Sequence, residues 1–308
     1  MDIDMPIMNG LEATAEIARA SSVPVLIFTH NMDPELPFKA LELGAADFLL
    51  KPDFSDLNRP EYVGRFIDRL RAIASRRSRL PAFDRSPSSE APPLPPRADG
   101  VAAPSRDGAD AQPVYPSTRP AVSVIVLGAS TGGPQAVSRF LSGLKPPFPL
   151  PIALVQHIET GFDRGYADWL SDLTGHRVVL AESGMEPAAG SVYVAPTDRH
   201  LLFARSGFVL DDGTKVLNQK PSVDVLFRSA AELYGGRVLG VLLTGMGSDG
   251  AEGCAAIVAG GGFTVAQDET SSLIFGMPRA AILRGAASLV LPLDRIAPFV
   301  ASAAEGLS

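Results

Sequence analysis

One stretch narrows the possible folds more than any other: residues 122–134, VSVIVLGASTGGP. Val122, Val124, Ile125, Val126 and Leu127 form an apolar, largely β-branched run that stops at Gly128. Such a run, bounded by glycine, suits a strand buried on both faces, as in parallel sheets covered by helices. The chain then turns on the small residues GASTGG, and Pro134 opens QAVSRFLSGL, which has helical spacing. Proline is tolerated in a helix's first turn. Ser130 therefore falls where a parallel strand passes into a helix, at the carboxyl edge of a sheet and near the positive end of a helix dipole. Alone, the turn fits either a phosphate-cradling dinucleotide loop or a nucleophile turn, and it matches neither G-x-G-x-x-G nor G-x-S-x-G cleanly.

The chain after residue 121 keeps alternating. Residues 152–156 (IALVQ) and 237–243 (RVLGVLL) read as buried strands, and 263–266 and 288–291 as further ones. Segments 163–173, 223–234, 251–259 and 277–284 read as helices, with Ser222 a plausible N-cap. Shorter strands are expected at 178–180, 191–195, 200–204 and 207–210, some of them antiparallel. The expectation is an α/β domain over 121–308 with a doubly wound, mostly parallel, Rossmann-like sheet.

Residues 1–78 form another α/β unit: helix 11–20, strand 23–28, helix 37–43, strand 46–50 and helix 62–77. No apolar strand precedes its first helix, so it is too short to be a complete parallel domain. Between the two units, 79–120 has frequent prolines among Ser, Ala, Asp and Arg and no hydrophobic period, which reads as a flexible linker.

Charge and composition exclude several classes. A net charge of −7 disfavours nucleic acid and anionic membrane as partners. No apolar run is long enough for a membrane span, so no stable membrane insertion is expected. The single cysteine, Cys254, rules out an internal disulfide and any multi-cysteine metal site, and it reads as small apolar filler in a helix. A reducing cytoplasm is the natural compartment.

Three reactive side chains occupy equivalent places in this pattern. Ser130 follows VSVIVL, His157 follows IALVQ, and Asp249 lies just beyond VLGVLL on a glycine-rich turn. Strand carboxyl ends in a doubly wound sheet line one crevice, so residues far apart in sequence can converge there. A hydroxyl, an imidazole and a carboxylate are the groups nucleophilic acyl transfer uses. Backbone N–H groups of 131–133 and 245–247 are candidate oxyanion donors. Taken singly, each group has a plainer role: Ser130 a cap, His157 a hydrogen-bonded core histidine, Asp249 the N-cap of the next helix. His30, His176 and His200 lack metal-ligand spacing, so zinc is not expected.

The segments GASTGGP, LVQH, PSVDVLFRSAA, LTGMGSDGAEG and QDETSSLIFGMPRAA together resemble the chemotaxis-type protein-glutamate methylesterases, over essentially all of 121–308. The resemblance implies hydrolysis of γ-glutamyl methyl esters on chemoreceptor-type proteins, releasing methanol, and deamidation of receptor glutamines. It implies Ser130 as nucleophile, His157 as base, Asp249 as orienting acid, Thr131 and Met246 beside the oxyanion, and no cofactor for catalysis. Gln219-Lys220 departs from the His-Arg that this family often carries there.

Residues 1–78 resemble a response-regulator receiver, a flavodoxin-like fold, that lacks its beginning. The resemblance implies Asp2 as phosphoacceptor, Thr29 as switch hydroxyl, Phe48 as switch aromatic, Lys51 as the lysine before proline, and a histidine kinase as phosphodonor. The family's magnesium-binding acidic pair is absent from this sequence, so phosphorylation of Asp2 lacks its charge compensation. Either a longer natural product exists or this form is not phosphoregulated. Weakened docking of 1–78 on the catalytic domain and raised basal esterase activity are expected. Two other functions compete: a non-catalytic signalling scaffold of the same fold, and a nicotinamide-dependent oxidoreductase. The oxidoreductase is disfavoured because the second strand ends in Gln-His, where a ribose-binding carboxylate would stand.

Overall fold

The computed structural model describes residues 1–52, 60–75 and 113–304. The N-terminal unit runs α1 (Gly10–Ala20), β1 (Val25–Thr29), α2 (Leu36–Glu42), β2 (Ala45–Leu50) and α3 (Pro60–Ser75). Asn9 caps α1 in a reciprocal capping box with Glu12. β1 and β2 pair in parallel. On the other side of β1, the Met1 ammonium donates to the Leu26 carbonyl at 2.8 Å and the Met1 carbonyl accepts from Phe28 N at 2.7 Å. The edge of β1 is therefore partly covered by residue 1.

The second unit begins with β3 (Val124–Ala129), α4 (Gly133–Ser142), β4 (Ile152–Gln156), α5 (Asp163–Thr174), β5 (Arg177–Leu180) and β6 (Ser191–Val194). A hairpin of β7 (His200–Ala204) and β8 (Gly207–Asp211) follows, the antiparallel addition expected from sequence. The chain ends with α6 (Val223–Tyr234), β9 (Val238–Leu242), α7 (Ala251–Ala259), β10 (Phe263–Gln267), α8 (Met277–Leu283), β11 (Leu289–Leu291) and α9 (Leu293–Ala304). Seven strands form one parallel sheet in the order β11-β10-β9-β3-β4-β6-β5. This is the doubly wound sheet expected, with its reversal of winding between β3 and β9.

The continuous apolar run of β3 is explained by its two packed faces. Ile125, Leu127 and Ala129 face a core built with Phe140 of α4, Tyr166 of α5 and Phe299 of α9. Val124 and Val126 face a second core with Phe227 of α6, Cys254 and Ile257 of α7 and Met277 of α8. Cys254 is buried there, and burial pushes its thiol pKa well up, as suits an inert filler.

The N-terminal unit packs on the first of these faces. Phe38 of α2 lies 5.3 Å from the Trp169 ring and 5.5 Å from that of Tyr166, both on α5, and Phe48 of β2 lies 5.6 Å from Phe162. Trp169 Nε1 donates to Glu42 Oε1 at 2.8 Å, and Gln135 Nε2 of α4 donates to the Ala45 carbonyl at 2.6 Å. Weak docking was the expectation from sequence. The contact seen is an aromatic core closed by hydrogen bonds, supplied by α2 and β2.

The stretch read as linker is also shorter than expected at its end. Tyr115 is buried against Phe263 and Phe299, and its N–H donates to Ser302 Oγ at 2.9 Å. Arg119 donates to the Gly262 carbonyl at 2.9 Å and lies over the Phe263 ring. Residues 113–120 are thus fastened to the second unit. The rest of that linker, 79–112, and residues 76–77 of the expected helix 62–77 lie outside the described residues.

Candidate active site

Strand register brings the site together. β3 and β4 pair Ala129 with Gln156, so the next residues, Ser130 and His157, are neighbours at the sheet's carboxyl edge. His157 N extends that ladder to the Ala129 carbonyl at 3.0 Å. β3 and β9 pair Gly128 with Leu242, and Ser130 N reaches the Thr244 carbonyl at 3.0 Å. Ser130 thus lies between the ends of β4 and β9, in the crevice where the winding reverses.

Two glycines are required there. Gly132 caps α4 with φ of 73°, a left-handed conformation open to glycine at no steric cost. A side chain at Gly245 would collide with Ser130 Cβ and the Met277 sulfur, so the two turns can approach only with glycine at 245.

His157 Nε2 lies 2.9 Å from Asp249 Oδ2. A carboxylate accepts, so this pairing assigns the proton to Nε2 and leaves the lone pair on Nδ1. Nδ1 is buried and has no hydrogen-bond partner, so it makes no hydrogen bond to Ser130 Oγ. Catalytic hydrogen bonds are often long before substrate binds.

The Asp249 carboxylate is saturated. Oδ1 accepts from Ser222 Oγ at 2.8 Å and Asp224 N at 2.9 Å, and Oδ2 accepts from Val223 N at 2.8 Å as well as from His157. Burial pushes its pKa up, but the His157 hydrogen bond and charge and the two backbone N–H groups outweigh burial and hold it below the usual value.

The helix caps differ from those expected. Ser222 stands at the N-cap of α6 without capping it; its hydroxyl goes to Asp249, whose carboxylate takes the helix's first N–H groups. Nor is Asp249 the N-cap of α7. Gly250 is, with φ of 96°, and Asp224 Oδ1 accepts from Gly250 N at 2.9 Å and Gly253 N at 2.7 Å.

Among the oxyanion candidates, Gly133 N is occupied by the Ser130 carbonyl at 2.7 Å and Gly245 N by the Ile274 carbonyl at 3.0 Å. That leaves the N–H groups of Thr131, Gly132, Met246 and Gly247 to meet an oxyanion. Thr131 is buried, and its carbonyl accepts from Thr244 Oγ1 at 3.0 Å. Met246 packs against a small cluster of Leu273, Ile274, Ala46 and Ile73. The N-terminal unit therefore reaches Met246.

Asp224 was missed from sequence because it carries no reactive role of its own. Gln156 and Gln267 were also missed: Gln156 Nε2 donates to the Ser130 carbonyl at 2.8 Å, and Gln267 Oε1 accepts from Thr244 N at 2.7 Å. The signal was a glutamine closing each of two apolar strands, IALVQ and FTVAQ.

In the N-terminal unit, Asp2, Thr29 and Lys51 do meet. Lys51 Nζ pairs with Asp2 Oδ2, and that hydrogen bond is the chief cause holding the Asp2 pKa below its usual value, with Thr29 assisting. Phe48 is buried against Phe38 and Phe162. Asp4, the nearest other acid in sequence, accepts from Asn31 Nδ2 at 3.2 Å. No group of three or more His, Cys, Asp or Glu among the described residues could hold a metal ion. Asp2 itself is taken up by Lys51.

Fold and constellation together define a doubly wound α/β protein with a hydroxyl, an imidazole and a carboxylate in one strand-end crevice. A model of the CheB methylesterase family matches residues 125–300, and one of the response regulator receiver domain matches 1–59. The chain belongs to the CheB methylesterase family. The protein-glutamate methylesterase/protein-glutamine glutaminase 2 of Anaeromyxobacter dehalogenans is 42% identical over 298 residues, covering 96% of this chain and 80% of that protein. The protein of the same description from Caulobacter vibrioides is 37% identical over 320 residues, covering 100% and 86%. The crystal structure of the Thermotoga maritima CheB methylesterase catalytic domain superposes with a TM-score of 0.57 at 37% identity, covering 58% of this chain and 97% of that one.

Proposed function

We propose that this protein is a protein-glutamate methylesterase and protein-glutamine glutaminase acting on chemoreceptor-type signalling proteins. Ser130 Oγ attacks the side-chain ester carbonyl while His157 Nδ1 takes its proton. Asp249 holds the imidazole by Nε2 and stabilises the imidazolium. The tetrahedral oxyanion is met by the N–H groups of Thr131 and Met246 with their glycine neighbours. The imidazolium returns its proton to the departing methoxide, methanol leaves, and water then hydrolyses the acyl-serine by the same base. For a glutamine substrate the leaving group is ammonia.

The observation that carries this reading is the unpartnered, buried Nδ1 of His157, with Nε2 already anchored on Asp249 and Ser130 the neighbouring strand-end residue. A scaffold would have no use for a buried imidazole nitrogen left without a partner, since that costs free energy.

The proposed organisation is a receiver unit over 1–78, a linker up to the anchored segment beginning at 113, and the catalytic domain after it. The compartment is the cytoplasm, where the receptors' signalling helices lie; no described helix is long and apolar enough to cross a membrane. The receiver unit lowers the basal rate by covering Met246 and Leu273. Asp2 is the candidate phosphoacceptor for a histidine kinase donor.

Methanol release from methylated receptor tests the reading, comparing wild type with Ser130→Ala. A loss on the order of 10⁴–10⁶ in kcat is expected, and a loss below about tenfold excludes Ser130 as nucleophile.

A further inference from the structure

We infer that Asp224 is a positioning residue that acts on catalysis through Asp249, an inference resting on the catalytic reading of Ser130, His157 and Asp249. Asp224 lies in the first turn of α6 and is 1% exposed. Its Oδ1 accepts from the N–H groups of Gly250 and Gly253, at the start of α7. Asp249 returns the arrangement by accepting from the N–H groups of Val223 and Asp224, at the start of α6. Each carboxylate thus supplies the cap of the other residue's neighbouring helix, and the two helix starts are fixed against each other.

The consequence for the triad is geometric. Asp224 holds the N–H of Gly250, the peptide directly after Asp249, and so fixes the backbone from which the triad carboxylate projects. That backbone is a left-handed turn at Gly250, whose carbonyl takes the first helical N–H, from Cys254, but whose own N–H is held only by Asp224. The two helices also approach too closely for a side chain at Gly253, which would meet Phe227 Cβ and the Asp224 Cα. Asp249 Oδ2 must serve Val223 N and His157 Nε2 together. A small rotation or shift of this carboxylate gives up one of them.

If Asp224 is removed, Gly250 N and Gly253 N are left buried without an acceptor, and the turn relaxes. A displacement of about 1 Å at a catalytic group can cost on the order of 100-fold. Binding of the receptor helix, by contrast, does not involve Asp224, which is buried between α6 and α7. The loss belongs in kcat, with KM nearly unchanged.

Burial raises the Asp224 pKa, the N–H groups oppose that, and the Asp249 charge adds to the rise. An asparagine, which accepts through its own Oδ1 and carries no charge, should therefore do the same positioning.

The test is a double-mutant cycle on the full chain, read by methanol release and thermal unfolding. Asp224→Ala should lower kcat about 10- to 100-fold with KM within about twofold, at a temperature where the variant is fully folded. In an Asp249→Ala background the same substitution should change kcat less than about threefold, because its route to the chemistry is gone. Asp224→Asn should keep kcat within about threefold of wild type. The ring N–H proton of His157, a readout independent of turnover, should persist in Asp224→Asn and broaden or vanish in Asp224→Ala.

Equal losses in both backgrounds would overturn the inference, as would a lower unfolding temperature with kcat unchanged. If Asp224→Ala does not fold, a tenfold or greater loss in folded Asp224→Asn overturns it instead, and an Asn variant that keeps both kcat and the ring proton supports it. Failure of the functional reading looks different: wild type would then release no methanol at all.

Discussion

The His157 imidazole is anchored on Asp249 through Nε2 at 2.9 Å, while its Nδ1 is buried and unpaired. The carboxylate that does the anchoring is also the cap of α6. Orientation of the base and the start of a core helix are therefore one arrangement of bonds, and substitutions at Asp249 should register in stability as well as in rate.

The pH dependence of stability follows from that. Asp249 has a folded pKa below its ordinary 3.8. Its contribution is therefore fully present above the unfolded value and is lost as pH falls through the folded one. Asp249→Asn removes that contribution, so the gap in unfolding temperature between wild type and this variant should narrow as pH drops from roughly 6 to 3. Calorimetry across that range checks it; a gap independent of pH would contradict the hydrogen-bonding described.

Ser222 should matter through the same carboxylate. Its hydroxyl is one of four donors to Asp249 and the only hydroxyl among them. Ser222→Ala leaves the backbone donors and His157 in place, so a loss of only about 3- to 10-fold in kcat is expected, equivalent to a single neutral hydrogen bond. A loss as large as that of Ser130→Ala would mean that Ser222 takes part in the chemistry.

Tyr166 lies in the contact between the two units, and its hydroxyl is fully buried without a partner. Burial accordingly pushes its pKa well up. An unsatisfied hydroxyl costs about 1–3 kcal/mol. Tyr166→Phe should tighten the docking of the receiver unit, raise the unfolding temperature and lower the basal esterase rate. Steady-state rates and thermal melts decide; unchanged values in both would show that the hydroxyl is solvated in the working state.

Opening the same contact should do the reverse. Trp169→Leu removes the ring that stacks on Phe38 and the donor to Glu42, and deletion of residues 1–112 removes the whole covering unit. Both should raise basal activity severalfold, the deletion more. The cut belongs before 113 because Tyr115 and Arg119 are part of the catalytic core packing. No gain on deletion would mean that the docked unit does not hinder access to Ser130.

The placement of the candidate site was readable from sequence because it depends on strand ends. In a doubly wound sheet the register of β3 against β4 brings residues 130 and 157 to one edge, and the turn after β9 carries Asp249 to His157. The caps were not readable. Ser222 and Asp249 each precede a helix and look like local N-caps, but the assignment is exchanged between two helices that meet only in the folded core. Side-chain to backbone bonds of that kind depend on tertiary approach, which a local capping pattern cannot encode. The anchoring of 113–120 was hidden for a similar reason. Tyr115 is one aromatic residue in a proline-rich context, and its burial depends on Phe263 and Phe299, far along the chain.

The nucleophile can be identified by where a covalent bond forms. Treating the protein with an alkyl phosphonofluoridate ester and mapping the adduct by peptide mass spectrometry should find it on Ser130, with methanol release lost in proportion to labelling. His157→Ala should slow that labelling by orders of magnitude, since the hydroxyl is then without its base. An adduct on another residue, or labelling of Ser130 at an undiminished rate in His157→Ala, would contradict the account.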